Sequence, residues 1–229
     1  MQGIKIIEIT PDKWTKIEGF SSKGLRVKSW YERIDDNEVF LYKEPKIYNY
    51  EDGSFVTKEI WTELIAYKIG TFIGLNIPEA IPAVLENNYG ILIRNFLERG
   101  LAGMPINELI EAKEILSNNL VRLSHNIDAI EMLLKTKGVD EKAWVEYIRM
   151  LIFDCLIGNN DRHDENWGFL VDRIHQVLRL APIYDNASCL TSGENEERVQ
   201  ELLLNPEKLN KYTNNISKKY DKILFAGLT

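Results

Sequence analysis

One helical stripe, set between two pairs of short apolar strands, constrains this 229-residue chain more than any other feature. From Lys58 to Ile73 the residues Ile60, Trp61, Leu64, Ile65, Ile69, Phe72 and Ile73 recur at three- and four-residue spacing, the signature of a helix with one apolar face. Gly74 and Pro78 close it. Before it, Gly24–Tyr31 alternates as a half-buried strand does, and Val39–Lys43 is rich in branched and aromatic residues. The polar turn Ile34–Asn37 between them predicts an antiparallel hairpin, and residues 5–10 predict a further short strand. After the helix, Ala80–Leu85 and Gly90–Phe96 read as strands joined at Asn87-Asn88. The first hundred residues therefore read ββαββ.

Beyond Pro105 the period changes. Ile106–Leu116, Leu120–Lys135 and Asp140–Ile157 each carry helical spacing, and a polar tail from Ser192 reads as surface helix with loops. Trp61, Trp144 and Trp167 read as core residues. The expected fold class is α+β: a small antiparallel sheet lobe with one helix over residues 1–97, then a mainly helical lobe over 98–229, joined near Leu97–Pro105.

Composition narrows the function classes. With 45% hydrophobic and 28% charged residues, the chain has the makeup of a globular domain. No apolar run reaches the ~18 residues of a membrane span, and the first residues lack a secretory pattern. Two cysteines, Cys155 and Cys189, make no disulfide framework, so a cytoplasmic setting is expected. A net charge of −7 argues against a duplex nucleic-acid binder, and no membrane or direct nucleic-acid partner is expected.

The densest chemistry lies in Gly158–Gly168, reading GNNDRHDENWG, behind the apolar segment Met150–Ile157 and ahead of Phe169-Leu170-Val171. A polar loop held between a helix and a strand can present reactive groups on a rigid frame. Phosphoryl transfer needs a carboxylate near the acceptor hydroxyl and hard oxygen ligands for magnesium. Asp161 is the candidate for the first. Asn166 offers an amide oxygen to the metal, and Asp185, after the apolar Leu178–Ile183 segment, offers the second carboxylate.

These two segments, Asp161-Arg162-His163-Asp164-Glu165-Asn166 and Leu180-Ala181-Pro182-Ile183-Tyr184-Asp185, together resemble the C-terminal lobe of HipA-type Ser/Thr kinases. The resemblance implies a bilobal protein-kinase-like fold using ATP and magnesium, with Asp161 as catalytic base and Asn166 and Asp185 as metal ligands. It implies that Lys43, at a strand end, pairs with the nucleotide phosphates and that Glu63 on the following helix holds it there. Taken alone, Lys43 and Glu63 would be ordinary solvated residues; their order in the chain is what recommends them. The backbone around Asn95, Phe96 and Leu97 is the expected adenine-binding hinge. Gly19–Gly24 stands where a phosphate loop belongs, though it carries neither a full GxGxxG nor a Walker pattern. The family's autophosphorylated loop serine makes Ser21 and Ser22 candidate regulatory sites.

His163 reads as a brace of its loop and Arg162 with Asp164 as an exposed charge pair. The family also carries an extra subdomain ahead of the phosphate loop and more helices after the Asp185 segment than this sequence has, so the expectation is a subdomain either absent or supplied by a separate N-subdomain-like partner, and a C-lobe that is compact or incomplete relative to the family. A protein acceptor is the expected substrate, and an antitoxin the other expected partner. A growth-inhibiting toxin role is implied as well. Two alternatives stay open. GxxDRHxxN also resembles the loop of phosphoinositide kinases, and a nucleotide-binding module without turnover would carry the same residues.

Overall fold

The structure is a computed structural model that describes residues 4–18, 28–50, 53–97, 107–117, 131, 141–172 and 178–214. The chain divides into two compact units. The first comprises Met1–Phe96 with Asn186–Asn195; the second comprises Leu97–Asp185 with Glu196–Thr229. Residues 186–195, though late in the chain, thus belong to the first unit.

The first unit is a six-stranded sheet in the order β1-β7-β8-β4-β3-β2, with a separate two-stranded hairpin. Its strands are β1 (Ile7–Glu8), β2 (Trp14–Ile17), β3 (Lys28–Arg33), β4 (Val39–Lys43), β7 (Ala80–Leu85) and β8 (Asn88–Arg94). The hairpin is β5 (Ile47–Tyr50) with β6 (Gly53–Val56), followed by helix α1 (Glu59–Phe72). β3 and β4 form the expected antiparallel pair, and β4 in turn pairs with β8. The expected turn at Asn87-Asn88 falls one residue earlier: Glu86 and Asn87 take positive φ angles of 49° and 69°, the geometry of a tight two-residue hairpin, and Asn88 already pairs with Leu85. β2 and the β5–β6 hairpin are absent from the sequence reading. Both are only four residues long, too short for periodicity to register.

The central strands are buried on both faces. One face gathers Trp14, Tyr31, Phe40, Tyr42, Ala83 and Leu92, with Trp14 edge-on to Phe40 at 5.5 Å between centroids. The other face packs Ala80, Ile91 and Ile93 against Ile60 and Leu64 of α1. Of the stripe its spacing predicts, α1 buries Ile60 and Leu64, while Ile65, Phe72 and Ile73 are exposed and Trp61, expected in the core, is 43% exposed. It lies one position past Ile60, about 100° around the helix, and so turns off the sheet-facing side.

The second unit holds a three-stranded antiparallel sheet, β11-β10-β9, and helices. Its elements are β9 (Asn107–Glu111), α2 (Ala112–Ser117), α3 (Glu141–Ile157), β10 (Gly168–Asp172), β11 (Leu178–Leu180) and α4 (Glu196–Leu204), with further helix over residues 206–214. The helix expected over Ile106–Leu116 is corrected here. Its first half is strand β9, because Phe169–Val171 of β10 pairs with Glu108–Ile110, a long-range demand that a five-residue pattern cannot reveal. The expectation of a mainly helical second lobe is weakened accordingly, and the helix expected at Leu120–Lys135 lies, except for residue 131, outside the described residues. Among the described residues no helix is long and apolar enough to cross a membrane, and Cys155 and Cys189 are free thiols.

Gly168 shows how tightly β9 and β10 approach. A Cβ built there would lie 2.3 Å from the backbone oxygen of Ile110. Backbone on a paired strand yields less easily than a side chain tip, so Gly168→Ala is expected to destabilise the protein by roughly 1–3 kcal/mol. A denaturant titration reads this as a lower midpoint at unchanged slope; an unshifted midpoint would show that the strand pair gives way freely.

Candidate active site

α3 builds the site from below. Its buried stripe runs Ala143, Tyr147, Met150, Asp154 and Ile157, so a carboxylate, fully buried, occupies a position that spacing assigns to the core. The helix stops at Gly158, whose φ of 64° is the left-handed conformation that ends helices. The Asn159 N–H then donates back to the Asp154 carbonyl at 2.9 Å, and the Asn159 side-chain amide donates to Asp154 Oδ1 at 3.0 Å. The Asn159 Oδ1 in turn accepts from the backbone N–H of Asp161 at 3.0 Å. Gly158, Asn159 and the buried carboxylate thus set the entry of the loop.

Arg162 completes the frame. It is not the exposed partner of Asp164 that its sequence neighbourhood suggested: it is 3% exposed and paired with Asp154. Nε and Nη2 donate to the two oxygens of Asp154 at 2.9 and 2.8 Å, the bidentate fork that a guanidinium makes best. Nη1 donates to two backbone carbonyls, Asn166 at 2.7 Å and Tyr184 at 2.5 Å. One nitrogen thereby holds the peptide of Asn166 and the peptide leading into Asp185.

The candidate residues around this frame differ in setting. Asp161 stands half-exposed, its carboxylate 4.0 Å from His163 Nε2. Asn166 is buried, and its Nδ2 donates to the Asp161 carbonyl at 2.8 Å. That bond commits the NH2 end of the amide and leaves Oδ1 as its remaining group. Asp185 is partly buried and takes a φ of 57°, a left-handed conformation that non-glycine residues adopt rarely and that clusters at functional sites. His163 is exposed; its Nδ1 accepts from the Glu165 N–H at 3.3 Å, and its backbone ties to Asp161 and Asn166, in keeping with a loop brace. The Tyr184 phenol is pushed up from its ordinary range chiefly by burial, with Glu111 adding to the effect, Arg162 opposing it and Asp185 adding further. It stays neutral and donates to the Glu165 carbonyl at 3.2 Å.

In the first unit, Lys43 and Glu63 are both buried, at 7% and 4% exposure, against the solvated setting expected of each alone. Lys43 is paired in register with Ile91, and directly paired residues share a sheet face. Ile91 lies on the face covered by α1, so Lys43 does too. Glu63 sits among the buried residues of that helix, and its Oε1 accepts the N–H of Asn186, the residue after Asp185, at 3.2 Å. The Thr62 hydroxyl donates to the Ala187 carbonyl at 2.7 Å, fastening the 186–195 segment to α1. Asn95 donates its N–H to Val39 at 2.8 Å, and Asn95, Phe96 and Leu97 form the stretch where the chain leaves the first unit. Ser21 and Ser22, with the Gly19–Gly24 loop, lie outside the described residues.

The sequence reading missed Asp154 and Asn159. The signal was there: an Asp in phase with Ala143, Tyr147 and Met150 on an apolar helix face is a charge asking for a partner.

Residues 20–224 match the model of the HipA-like C-terminal domain, and the chain belongs to that family. A curated relative, the Serine/threonine-protein kinase CtkA of Helicobacter pylori, is 26% identical over 212 residues, covering 89% of this chain and 60% of its own length. The chain therefore spans about three-fifths of that relative. The crystal structure of a Helicobacter pylori proinflammatory kinase CtkA shares the fold, with a TM-score of 0.64 at 24% identity over 80% of this chain and 62% of the other. The HipA chain of a Shewanella oneidensis HipA, HipB and operator DNA complex aligns with a TM-score of 0.49 at 15% identity, over 74% of this chain and 44% of that one.

Proposed function

We propose that this chain is an ATP- and magnesium-dependent protein Ser/Thr kinase of HipA type. The observation that carries the proposal is the convergence of the Asn166 and Tyr184 carbonyls on one nitrogen of Arg162, which draws the Asn166 and Asp185 segments together beside the Asp161 loop. Family membership and the kinase relative support the reaction class.

The donor set fits magnesium. An Asn amide oxygen and an Asp carboxylate are hard ligands, and magnesium takes one or two such protein groups with the rest from water and substrate phosphates. Among the described residues no group of three or more His, Cys, Asp or Glu forms a metal cage, so phosphate oxygens would complete the shell. Bound there, the ion neutralises phosphate charge and aligns the donor. Asp161, half-exposed, accepts the proton of the acceptor hydroxyl as that oxygen attacks the γ-phosphorus, and the bond from that phosphorus to the β,γ-bridging oxygen breaks to release ADP. Lys43, fixed on the α1-covered face, pairs with the α- and β-phosphates, and Glu63 orients it. The Asn95–Leu97 backbone receives adenine. In this reading residues 1–97 make the nucleotide-clamping lobe and 98–229 the catalytic lobe of a bilobal kinase. A cytoplasmic setting, a protein acceptor, autophosphorylation at Ser21 or Ser22, a toxin role and an antitoxin or subdomain partner belong to the same proposal on family grounds. The named relative favours a protein acceptor over a phosphoinositide.

Lys43→Met tests the clamp. Loss of one charge-assisted phosphate contact is worth about 1.5–3 kcal/mol, so transfer from radiolabelled ATP to a generic protein acceptor should fall roughly 10–100-fold. Chelating the divalent ion should abolish transfer by the unmodified protein. Transfer that persists unchanged in both experiments would defeat the proposal.

A further inference from the structure

Arg162 is a costly residue for stability alone. A buried guanidinium and carboxylate lose hydration that their attraction barely recovers, and apolar replacements of similar volume are often as stable. Its side chain nevertheless makes four hydrogen bonds that serve one task. Asp154, fixed in α3, anchors Nε and Nη2, while Nη1 reaches the Asn166 and Tyr184 carbonyls. A second arm runs from Asp154 through the Asn159 amide to the Asp161 N–H. One buried carboxylate on a rigid helix is therefore the common origin of all three loop segments that bear candidate functional side chains. Asp154 and Asn159 are fully buried and Arg162 nearly so, which shields these bonds from solvent competition.

We propose that Arg162 is a positioning residue for the divalent-cation site: it sets the separation of Asn166 and Asp185 and thereby the affinity of the site for a nucleotide-bound cation. This inference rests on the kinase reading above. The mechanism is geometric. Asn166 Nδ2 is held by the Asp161 carbonyl and the Asn166 carbonyl by Nη1, so the residue is gripped at both its side chain and its backbone. The left-handed backbone of Asp185 follows immediately after the carbonyl that Nη1 holds. If that nitrogen is removed, the two donors are free to drift apart while each keeps its own chemistry. Lysine cannot replace the fork, because an ammonium is a single compact charge without a planar set of donors.

The test uses Arg162→Lys in the full chain, with manganese as a spectroscopic stand-in for magnesium. Binding of Mn2+ in the presence of a non-hydrolysable ATP analogue is followed by electron paramagnetic resonance on protein shown to be folded by near-ultraviolet circular dichroism. Outer-shell partners of metal ligands typically contribute 10–100-fold in affinity, so the dissociation constant should rise by about that factor. The magnesium concentration giving half-maximal transfer should rise in parallel, with the rate at saturating magnesium recovering most of its value. A merely structural role would lower the thermal midpoint and leave the cation affinity of the folded protein unchanged, and that result overturns the inference. Asp154→Asn, which keeps the volume but loosens the anchor, serves if Arg162→Lys does not fold, and the same shift is expected. Should the unmodified protein neither bind Mn2+ with nucleotide nor transfer phosphate, the kinase reading itself fails; an unmodified protein that does both, beside variants of unchanged affinity, sinks only the role of Arg162.

Discussion

Asp161→Asn is expected to lower phosphate transfer by at least about 100-fold while leaving the thermal midpoint nearly in place. General-base assistance contributes ~10²–10⁴-fold in rate, and an amide of the same shape cannot take up the hydroxyl proton. The fold should tolerate the change because the carboxylate is half-exposed, and its backbone, not its side chain, receives the Asn159 contact. Surface substitutions of this kind usually shift stability by less than about 0.5 kcal/mol. The measurement is transfer from radiolabelled ATP beside a thermal melt of the same preparation. Activity retained within a few-fold would remove Asp161 from the chemistry and leave the loop as a turn.

Arg162→Met should be the most destabilising single change around the site. It strips the Asp154 carboxylate of both charge-assisted bonds and leaves the Asn166 and Tyr184 carbonyls without the nitrogen they share. Breaking a buried ion pair from one side costs roughly 3–5 kcal/mol, a large share of the 5–15 kcal/mol that holds a typical domain together. Asp154→Leu combined with Arg162→Met should recover much of that loss, since an apolar pair no longer buries an uncompensated charge. Chemical denaturation of the single and double variants checks both statements. A single variant as stable as the original would mean that water already reaches Asp154. The recovered double variant should still bind Mn2+ weakly, which separates stability from positioning.

Several elements were legible because their cause is local. The helix α1, its stop at Gly74 and the β3–β4 hairpin follow from spacing and turn chemistry within a dozen residues. The polar loop was legible for the same reason, since eight polar residues in succession, Asn159 to Asn166, between two apolar segments must be a loop. β9 was not, because its partner β10 lies some sixty residues on and its five residues fit a helix equally well. Trp61 misled because a residue type's average burial says nothing about which side of a helix it occupies. Lys43 and Glu63 look like surface residues in isolation; the register that places Lys43 beside Ile91 under α1 is a long-range fact.

From its own letters, then, this chain declares a ββαββ segment, a helix leading into a dense polar loop, and the residue types a phosphate-transferring site would employ, because turns, helix faces and oxygen donors are properties of neighbours in sequence. Folding alone decides that Arg162 is a buried hub and not a surface charge. Its four acceptor atoms belong to three segments separated by up to thirty residues, and only tertiary packing can bring them within the reach of one guanidinium and exclude the water that would otherwise satisfy them.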